Sequence, residues 1–191
     1  MKVTPETMEI CAEVFAYVAH ASVDQKRKYT GEPYINHPAA VVAILKTINP
    51  TPEMIAAAWL HDVVEDTTIT LEHIEEVFGP KVREYVYYLS NPGLEAGNRT
   101  VRKANDRDRL AGAPPEVQTI KLADLIDNSY SIEQHDPSFA VLYMKEKEAL
   151  LQVLTAGHVV LYKQATRIVE DYMRRKASVN QSATGNGDYQ E

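Results

Sequence analysis

Helical periodicity is the feature of this sequence that most constrains its fold. Apolar residues recur at three- and four-residue steps, as Ile10, Val14, Tyr17 and Val18 do near the start. No segment combines strict apolar/polar alternation with turn dipeptides, the pattern typical of strands. Even the β-rich run VREYVYYLS spaces its apolar residues as a helical stripe. We therefore predict an all-α fold of about nine helices, over residues 6–22, 38–48, 52–66, 71–79, 80–90, 98–110, 115–130, 137–155 and 158–176.

The length and the C-terminal composition indicate the domain organisation. A chain of 191 residues is typical of one domain, since domains contain about 100–200 residues. We find no internal repeat and no linker that would divide it. After Lys176 the sequence becomes small and polar, ASVNQSATGNGDYQE, as in disordered segments. We predict one domain over residues 1–176 and a disordered polar tail over residues 177–191.

The charge balance argues against several classes of partner. The 27 acidic and 20 basic residues give a net charge of −7, which disfavours nucleic acids and anionic membranes because both attract Lys and Arg. The start of the sequence lacks the apolar run of a secretory signal. Cys11 is the single cysteine, so neither an intramolecular disulfide nor a thiolate zinc cluster can form. We expect a cytoplasmic protein without a nucleic-acid or membrane partner.

Four ionisable residues are concentrated in the segment His61-Asp62-Val63-Val64-Glu65-Asp66. On a continuous helix, His61 would lie one turn from Glu65, and Asp62 one turn from Asp66. They follow the apolar run IAAAWL, where burying charge is costly unless a partner compensates it. A divalent cation would compensate it. The spacing fits equally well a set of surface helix charges beside a satisfied core histidine.

Two further residues at apolar boundaries are candidate ligands of such a cation. His37 opens a helical segment after PYIN, and Asp124 lies within TIKLADLIDN. A set of two His and two Asp suits Mn²⁺, Fe²⁺ or Zn²⁺ better than a soft ion. The other histidines, such as His20 in an Ala-rich helix, are expected to be structural.

The order His37, His61-Asp62, Asp124 resembles the H…HD…D signature of the HD-domain metal-dependent phosphohydrolases. The flanking segments are more specific than the signature. QKRKYTGEPYINHP, AAWLHDVVEDT, FG-x-x-V and IKLAD-x-x-x-N resemble the hydrolase domain of the bifunctional Rel/Spo-type enzymes and the small alarmone hydrolases. The resemblance covers about residues 10–175, and the four motifs follow the family's order.

This resemblance implies an HD-domain fold and a defined chemistry. The family removes pyrophosphate from the 3′ position of ppGpp or pppGpp and leaves GDP or GTP. It implies one metal ion, typically Mn²⁺, with Fe²⁺ or Zn²⁺ as alternatives, on four ligands: His37, His61, Asp62 and Asp124. Glu65 and Asp66 would be the catalytic acid/base pair, and Asn128 would help to position the substrate.

Two basic stretches are candidates for binding the nucleotide. The resemblance implies that Arg27 and Lys28 contact it, with Arg27 stacking on the base; a solvated helix end is the alternative. Arg102 and Lys103 share a helical face with Arg99 and could hold the pyrophosphate, but a solvated charged face fits equally well. Lys145 and Lys147 are weaker candidates, because periodicity does not tell which of them points inward.

The sequence departs from the family pattern after Asp124. Better-known members carry a basic residue there, followed by a His or Tyr before the Asn, whereas this chain has Leu125 and Asp127. The change leaves a second function open, an HD phosphohydrolase acting on another nucleotide. A third is a non-catalytic nucleotide-binding or protein-interaction module. The sequence leaves no room for a synthetase domain, so we expect hydrolysis alone, with possible functional pairing to a separate alarmone synthetase.

Overall fold

The computed structural model describes residues 3–90 and 97–184, with side chains as far as Ser178. Within these ranges the chain forms ten α-helices and one short 3-10 segment, Lys46–Ile48. The helices are α1 (Pro5–Ser22), α2 (Asn36–Leu45), α3 (Pro52–Leu60), α4 (Val63–Asp66), α5 (Leu71–Phe78), α6 (Pro80–Leu89), α7 (Arg99–Ala111), α8 (Pro115–His135), α9 (Pro137–Leu151) and α10 (Val159–Thr184). The described residues contain no strand, only an isolated bridge between Lys26 and Pro33. The prediction of an all-α fold is confirmed.

Nine predicted helical segments became ten helices because segment 52–66 is interrupted. Helix α3 ends at Leu60 and α4 begins at Val63, so His61 and Asp62 lie in the turn between them. The backbone of Asp62 departs from helical angles, with ψ at −6°. The prediction of one continuous helix was wrong here. The break aims His61 and Asp62 at the same point instead of separating them along a helix surface.

Several helix ends follow the local signals in the sequence. Thr70 forms a capping box with His73 at the start of α5. Gly79, with φ at 86°, ends α5 in a conformation that favours glycine, and Pro80 begins α6. The side chains of Thr51 and Asn98 accept hydrogen bonds from the first turns of α3 and α7. These local signals explain why the helix starts were predictable.

The face that helix α1 buries is not the face that carries most of its large apolar residues. Its exposed stripe is the one that identifies the helix in the sequence: Ile10, Val14, Tyr17 and Val18. The buried face carries small residues, Ala12, Ala16 and Ala19, and it packs on α3. Since α3 presents Ala56, Ala57 and Ala58 to the core, the two helices can approach closely. Small side chains on both helices thus determine the register of α1.

Helix α8 occupies the centre of the bundle. It packs against α2, α9 and α10 and also touches α3 and α6. Almost every residue from Val117 to Ile126 is buried, as expected for a helix covered on all sides. Asp124 lies within this buried stretch, so its carboxylate must find partners within the protein.

The C-terminal helix extends beyond the predicted domain boundary. Helix α10 continues from Val159 to Thr184. Residues 177–184 of the predicted disordered tail are therefore helical, and residues 185–191 lie outside the described part of the chain. No helix in residues 3–90 and 97–184 combines the length and the apolar character that a bilayer span requires.

Candidate metal centre

Three parts of the fold bring the predicted ligands together. His37 lies in the first turn of α2, His61 and Asp62 form the turn between α3 and α4, and Asp124 lies midway along α8. Helix α2 packs on both α3 and α8. His37, His61 and Asp124 are buried, and Asp62 is partly accessible. The fold thus converges ligands separated by up to 87 residues of sequence on one interior point.

The side-chain atoms at this point are close enough to share a cation. One ligand atom from each of His37, His61 and Asp62 lies within 4.8 Å of the others. Nε2 of His61 lies 2.9 Å from Oδ2 of Asp62, and Nε2 of His37 lies 3.8 Å from the same oxygen. Asp124 adjoins both histidines, its Oδ1 lying 3.1 Å from Nε2 of His37 and 3.9 Å from Nε2 of His61.

The orientation of His61 is suited to metal binding. Its Nδ1 lies 2.8 Å from the carbonyl oxygen of Ala58, which can only accept a hydrogen bond. The proton of the neutral ring is therefore on Nδ1, and the lone pair is on Nε2. Nε2 is fully buried, and none of the described residues donates a hydrogen bond to its lone pair. A buried, unpartnered lone pair beside two carboxylates is what a divalent ion would satisfy.

His37 is oriented in the same way by a carboxylate. Its Nδ1 donates a hydrogen bond to Oδ2 of Asp127 at 2.6 Å, so its Nε2 faces the cluster. Asp127 follows Asp124 by one helical turn on α8. Arg27 reaches the same carboxylate, with Nη2 at 3.5 Å. Asp127 therefore orients a candidate ligand without belonging to the cluster. The sequence feature that indicated it was its three-residue spacing from Asp124.

The two aspartates of the cluster have further partners. Asp124 accepts hydrogen bonds from Lys121 at 2.7 Å and from Asn128 at 2.6 Å. The hydroxyl of Tyr34 donates to Oδ2 of Asp62 at 2.5 Å. Lys121 was not singled out in the sequence, although it lies one turn before Asp124. These contacts hold both carboxylates in place.

The electrostatics of the cluster favour a bound positive charge. Burial opposes ionisation of Asp62 and Asp124, but the neighbouring His61 and Lys121 outweigh it and hold the pKa of each carboxyl below its usual range. Burial opposes protonation of His37 too, yet Asp124 and Asp127 raise its pKa to about 9. The carboxylates thus stabilise the protonated form of the histidines. A divalent ion would compete with these protons for the histidine nitrogens.

Glu65 and Asp66 follow the cluster on the short helix α4. Glu65 lines a cavity whose wall also contains Asp62 and Asp124 of the cluster. Asp66 is held from the other side, since its Oδ2 accepts a hydrogen bond from Nε2 of Gln25 at 2.8 Å. The amide oxygen of Gln25 in turn lies 2.6 Å from Nδ1 of the buried His20. Gln25 begins the motif QKRKYTGEPYINHP, but its contact with Asp66 could not be predicted, because it joins residues 41 positions apart.

A cavity of about 250 Å³ opens from the metal cluster toward α7 and α9. Its wall includes five acidic residues, Asp62, Glu65, Asp106, Asp124 and Glu146, and six basic ones, Arg99, Lys103, Arg107, Arg109, Lys121 and Lys147. Of the predicted substrate-binding residues, Lys103 and Asn128 lie in this wall. The site thus places the acidic ligands and a wall of mixed charge around one space, in which Arg99 is paired with Glu146, and Lys103 and Arg109 with Asp106.

The remaining predicted basic residues lie elsewhere. Arg102 is next to Lys103 on α7 but does not line the cavity. Arg27 points to Asp127, and Lys28 points away, with Nζ 3.8 Å from Asp136 and 4.8 Å from the centre of the Tyr29 ring. The structure therefore separates two residues that are adjacent in sequence, and it does not gather all the predicted basic residues around one space.

Comparisons with known proteins agree with this geometry. The family model described as HD domain matches residues 12–156. A probable guanosine-3′,5′-bis(diphosphate) 3′-pyrophosphohydrolase from Synechocystis is 38% identical over 67% of this chain, but the match spans 17% of that protein. The mouse guanosine-3′,5′-bis(diphosphate) 3′-pyrophosphohydrolase MESH1 is 34% identical over 66% of this chain and 71% of its own length.

Solved structures show the same likeness. One, described as a metazoan orthologue of SpoT that hydrolyses ppGpp, matches with a TM-score of 0.79 and 25% identity, over 89% of this chain and 98% of that chain. The structure of lmo0812 from Listeria monocytogenes matches with a TM-score of 0.64 over 77% of this chain. The shared ligand pattern, the extent of the family match and the likeness to MESH1 show that this chain belongs to the HD domain family.

Proposed function

We propose that this protein is a metal-dependent hydrolase that removes pyrophosphate from the 3′ position of ppGpp or pppGpp, leaving GDP or GTP. The observation that carries the proposal is the buried cluster of His37, His61 and Asp62, in which Nε2 of His61 is unpartnered and Asp62 also lines a cavity with basic side chains in its wall. Relatives named as ppGpp pyrophosphohydrolases support the choice of substrate.

In this proposal four residues hold one divalent ion, Mn²⁺ first and Fe²⁺ or Zn²⁺ as alternatives: His37, His61, Asp62 and Asp124. The mixed nitrogen and oxygen set supports this choice of ions. When bound, the ion acts as a Lewis acid that lowers the pKa of water and stabilises charge on the phosphate. Asp127, through Nδ1 of His37, and Ala58, through Nδ1 of His61, keep both Nε2 atoms directed at it.

Glu65 is the proposed general base. It lies next to the cluster, where it can accept the proton of the attacking water as the oxygen bonds to phosphorus. The bond from phosphorus to the 3′ oxygen then breaks, and that oxygen takes a proton to become a hydroxyl. Asp66, held by Gln25, orients the water or assists this proton transfer. Cleavage of one bond by one water molecule yields GDP and pyrophosphate.

The substrate-binding residues divide into two groups. Lys103 and Asn128 line the cavity and would contact the part of the nucleotide that enters it. Arg27, Lys28 and Arg102 lie outside its wall, so we assign them to the part of the nucleotide that extends beyond the cavity. We further propose that the enzyme acts in the cytoplasm, without nucleic acid or membrane, and that it can be paired with a separate alarmone synthetase.

A second candidate function is hydrolysis of a different nucleotide by the same site. The contact between Arg27 and Asp127 favours it, because that carboxylate engages the guanidinium expected to stack on guanine. An adenosine alarmone is the first alternative to test.

Product analysis separates the possibilities. The Mn²⁺-loaded protein is incubated with ppGpp, its adenosine counterpart, dGTP and nucleoside monophosphates, and products are identified by anion-exchange chromatography. We expect GDP plus pyrophosphate from ppGpp and no product after metal chelation. Turnover of another nucleotide alone would support the second function. Binding without turnover of any of them would contradict an enzymatic role and favour a non-catalytic nucleotide-binding module.

A further inference from the structure

Helix α9 directs one of its two neighbouring lysines into the protein. Lys147 is 1% exposed and lines the cavity, whereas Lys145, two residues earlier, is exposed. The helical sequence pattern could not decide between them. The packing of α9 against α8 decides it, because the buried face of α9 also carries Ala140, Met144 and Leu151.

The ammonium group of Lys147 is buried without an acidic partner within ion-pair distance in the described part of the chain. Its Nζ donates to the carbonyl oxygen of Leu125 and to the hydroxyl oxygen of Ser129, both uncharged. Lys121, the other deeply placed lysine of the cavity wall, instead lies 2.7 Å from a carboxylate oxygen of Asp124. A buried charge that lacks a counter-charge lowers the stability of the fold. The position of Lys147 therefore calls for an explanation other than packing.

The chemical state of Lys147 agrees with a missing counter-charge. Burial lowers its pKa to about 7, and the attraction of Asp124 offsets this only in part. An anion entering the cavity would favour the protonated form and would be attracted by it. The cavity is where such an anion has to come, because its wall also contains Asp62 and Asp124 of the metal cluster.

We propose that Lys147 forms a phosphate-binding subsite in the wall between α8 and α9, where its ammonium group is the counter-charge of a phosphate oxygen of the bound nucleotide. This inference rests on the proposed function for the identity of the substrate, but it concerns a residue outside the HD signature. The ligand class is a phosphate or pyrophosphate group. The alternative is a purely structural role, in which Lys147 links α9 to the backbone of α8. The experiment has to distinguish phosphate binding from this role.

The test compares Lys147→Met, which keeps the aliphatic stem, with Lys145→Met, a matched change at an exposed position of the same helix. Binding of inorganic pyrophosphate to the metal-loaded, desalted full chain is measured by calorimetry. We expect Lys147→Met to weaken it by about tenfold or more, since charge-assisted hydrogen bonds to phosphate are strong, and Lys145→Met to leave it unchanged. This readout does not require ppGpp to be the substrate. It therefore distinguishes failure of the Lys147 proposal from failure of the proposed function.

Kinetics and stability then distinguish a substrate contact from a structural link. With ppGpp, Lys147→Met is expected to raise KM far more than it lowers kcat, while its Tm near pH 7 stays the same or rises. Lys147→Arg, which restores the charge, is expected to recover part of the affinity. Pyrophosphate binding equal to that of the wild type, or a lowered Tm with unchanged KM, would overturn the proposal.

A measurement on the unmodified protein covers the case in which the variants do not fold. Reductive dimethylation of the wild type is quantified by mass spectrometry with and without pyrophosphate. We expect pyrophosphate to protect Lys147 and not Lys145. The labelling rate of Lys147 is compared over a reaction time long enough to label this buried lysine in the free protein, and equal rates in both conditions would overturn the proposal.

Discussion

Nδ1 of His37 lies 2.6 Å from Oδ2 of Asp127, so a carboxylate one turn beyond Asp124 orients a histidine of the metal cluster. Such partners affect metal affinity without touching the ion, by about 10- to 100-fold in comparable sites. We expect Asp127→Ala to weaken Mn²⁺ binding by this amount in calorimetric titration, and Asp127→Asn, which can still accept the hydrogen bond, to weaken it less. Equal affinity of Asp127→Ala and the wild type would show that the contact does not support the site.

Replacement of Glu65 tests the assignment of the general base. Glu65→Gln keeps the size of the side chain but cannot accept a proton, so we expect kcat for ppGpp to fall by about 10²- to 10⁴-fold. Mn²⁺ affinity should stay within error of the wild type, because Glu65 is not one of the proposed ligands. Activity close to normal would exclude this role for Glu65.

The hydrogen bond from Gln25 to Asp66 predicts a separate effect on turnover. A hydrogen bond to a charged group contributes about 1.5–3 kcal/mol, and each 1.4 kcal/mol corresponds to about a tenfold change in rate. We expect Gln25→Leu to lower kcat by about tenfold or more, with Mn²⁺ affinity unchanged. Gln164→Leu, the same change at an exposed position of α10, is the control. Identical kcat values for the two variants would show that the Gln25 contact does not support the reaction.

The orientation of α1 can be tested by unfolding in urea. Val14 is 56% exposed and Ala16 is 0% exposed. We expect Val14→Ser to change the free energy of unfolding by less than about 0.5 kcal/mol. Ala16→Leu should lower it by about 1–3 kcal/mol, because the larger side chain enters a close contact with α3. The opposite order would mean that the large apolar residues of α1 face the core.

The burial of Lys147 predicts a pH dependence of stability. Its pKa is about 7 in the folded protein against an ordinary value of 10.5, so between these values the unfolded chain binds more protons. The free energy of unfolding should therefore rise with pH from 7 to 9, by at most about 1.4 kcal/mol per pH unit. Asp124 and Lys121 are the charged groups that act on Lys147 most directly. The rise should be smaller in Lys147→Met, and parallel curves for the two proteins would contradict the assignment.

Much of the fold could be predicted because its signals are local. Prolines, the capping residue Thr70 and Gly79 mark helix ends through contacts with their immediate neighbours, and the structure agrees. The motifs around His37, His61-Asp62 and Asp124 identified the family, which the comparisons confirmed. The helix break at His61 was missed, since the run from Pro52 to Asp66 reads as helical at every step.

By itself, the sequence determined the helical class, most helix starts and the identity of the candidate ligands. Each of these depends on residues a few positions apart or on a recognisable motif. Only the tertiary structure decided that α1 buries its alanines, that Gln25 reaches Asp66 and that Lys147 rather than Lys145 faces the cavity. These outcomes depend on which helix packs against which face, a choice made by long-range packing and burial that no local pattern records.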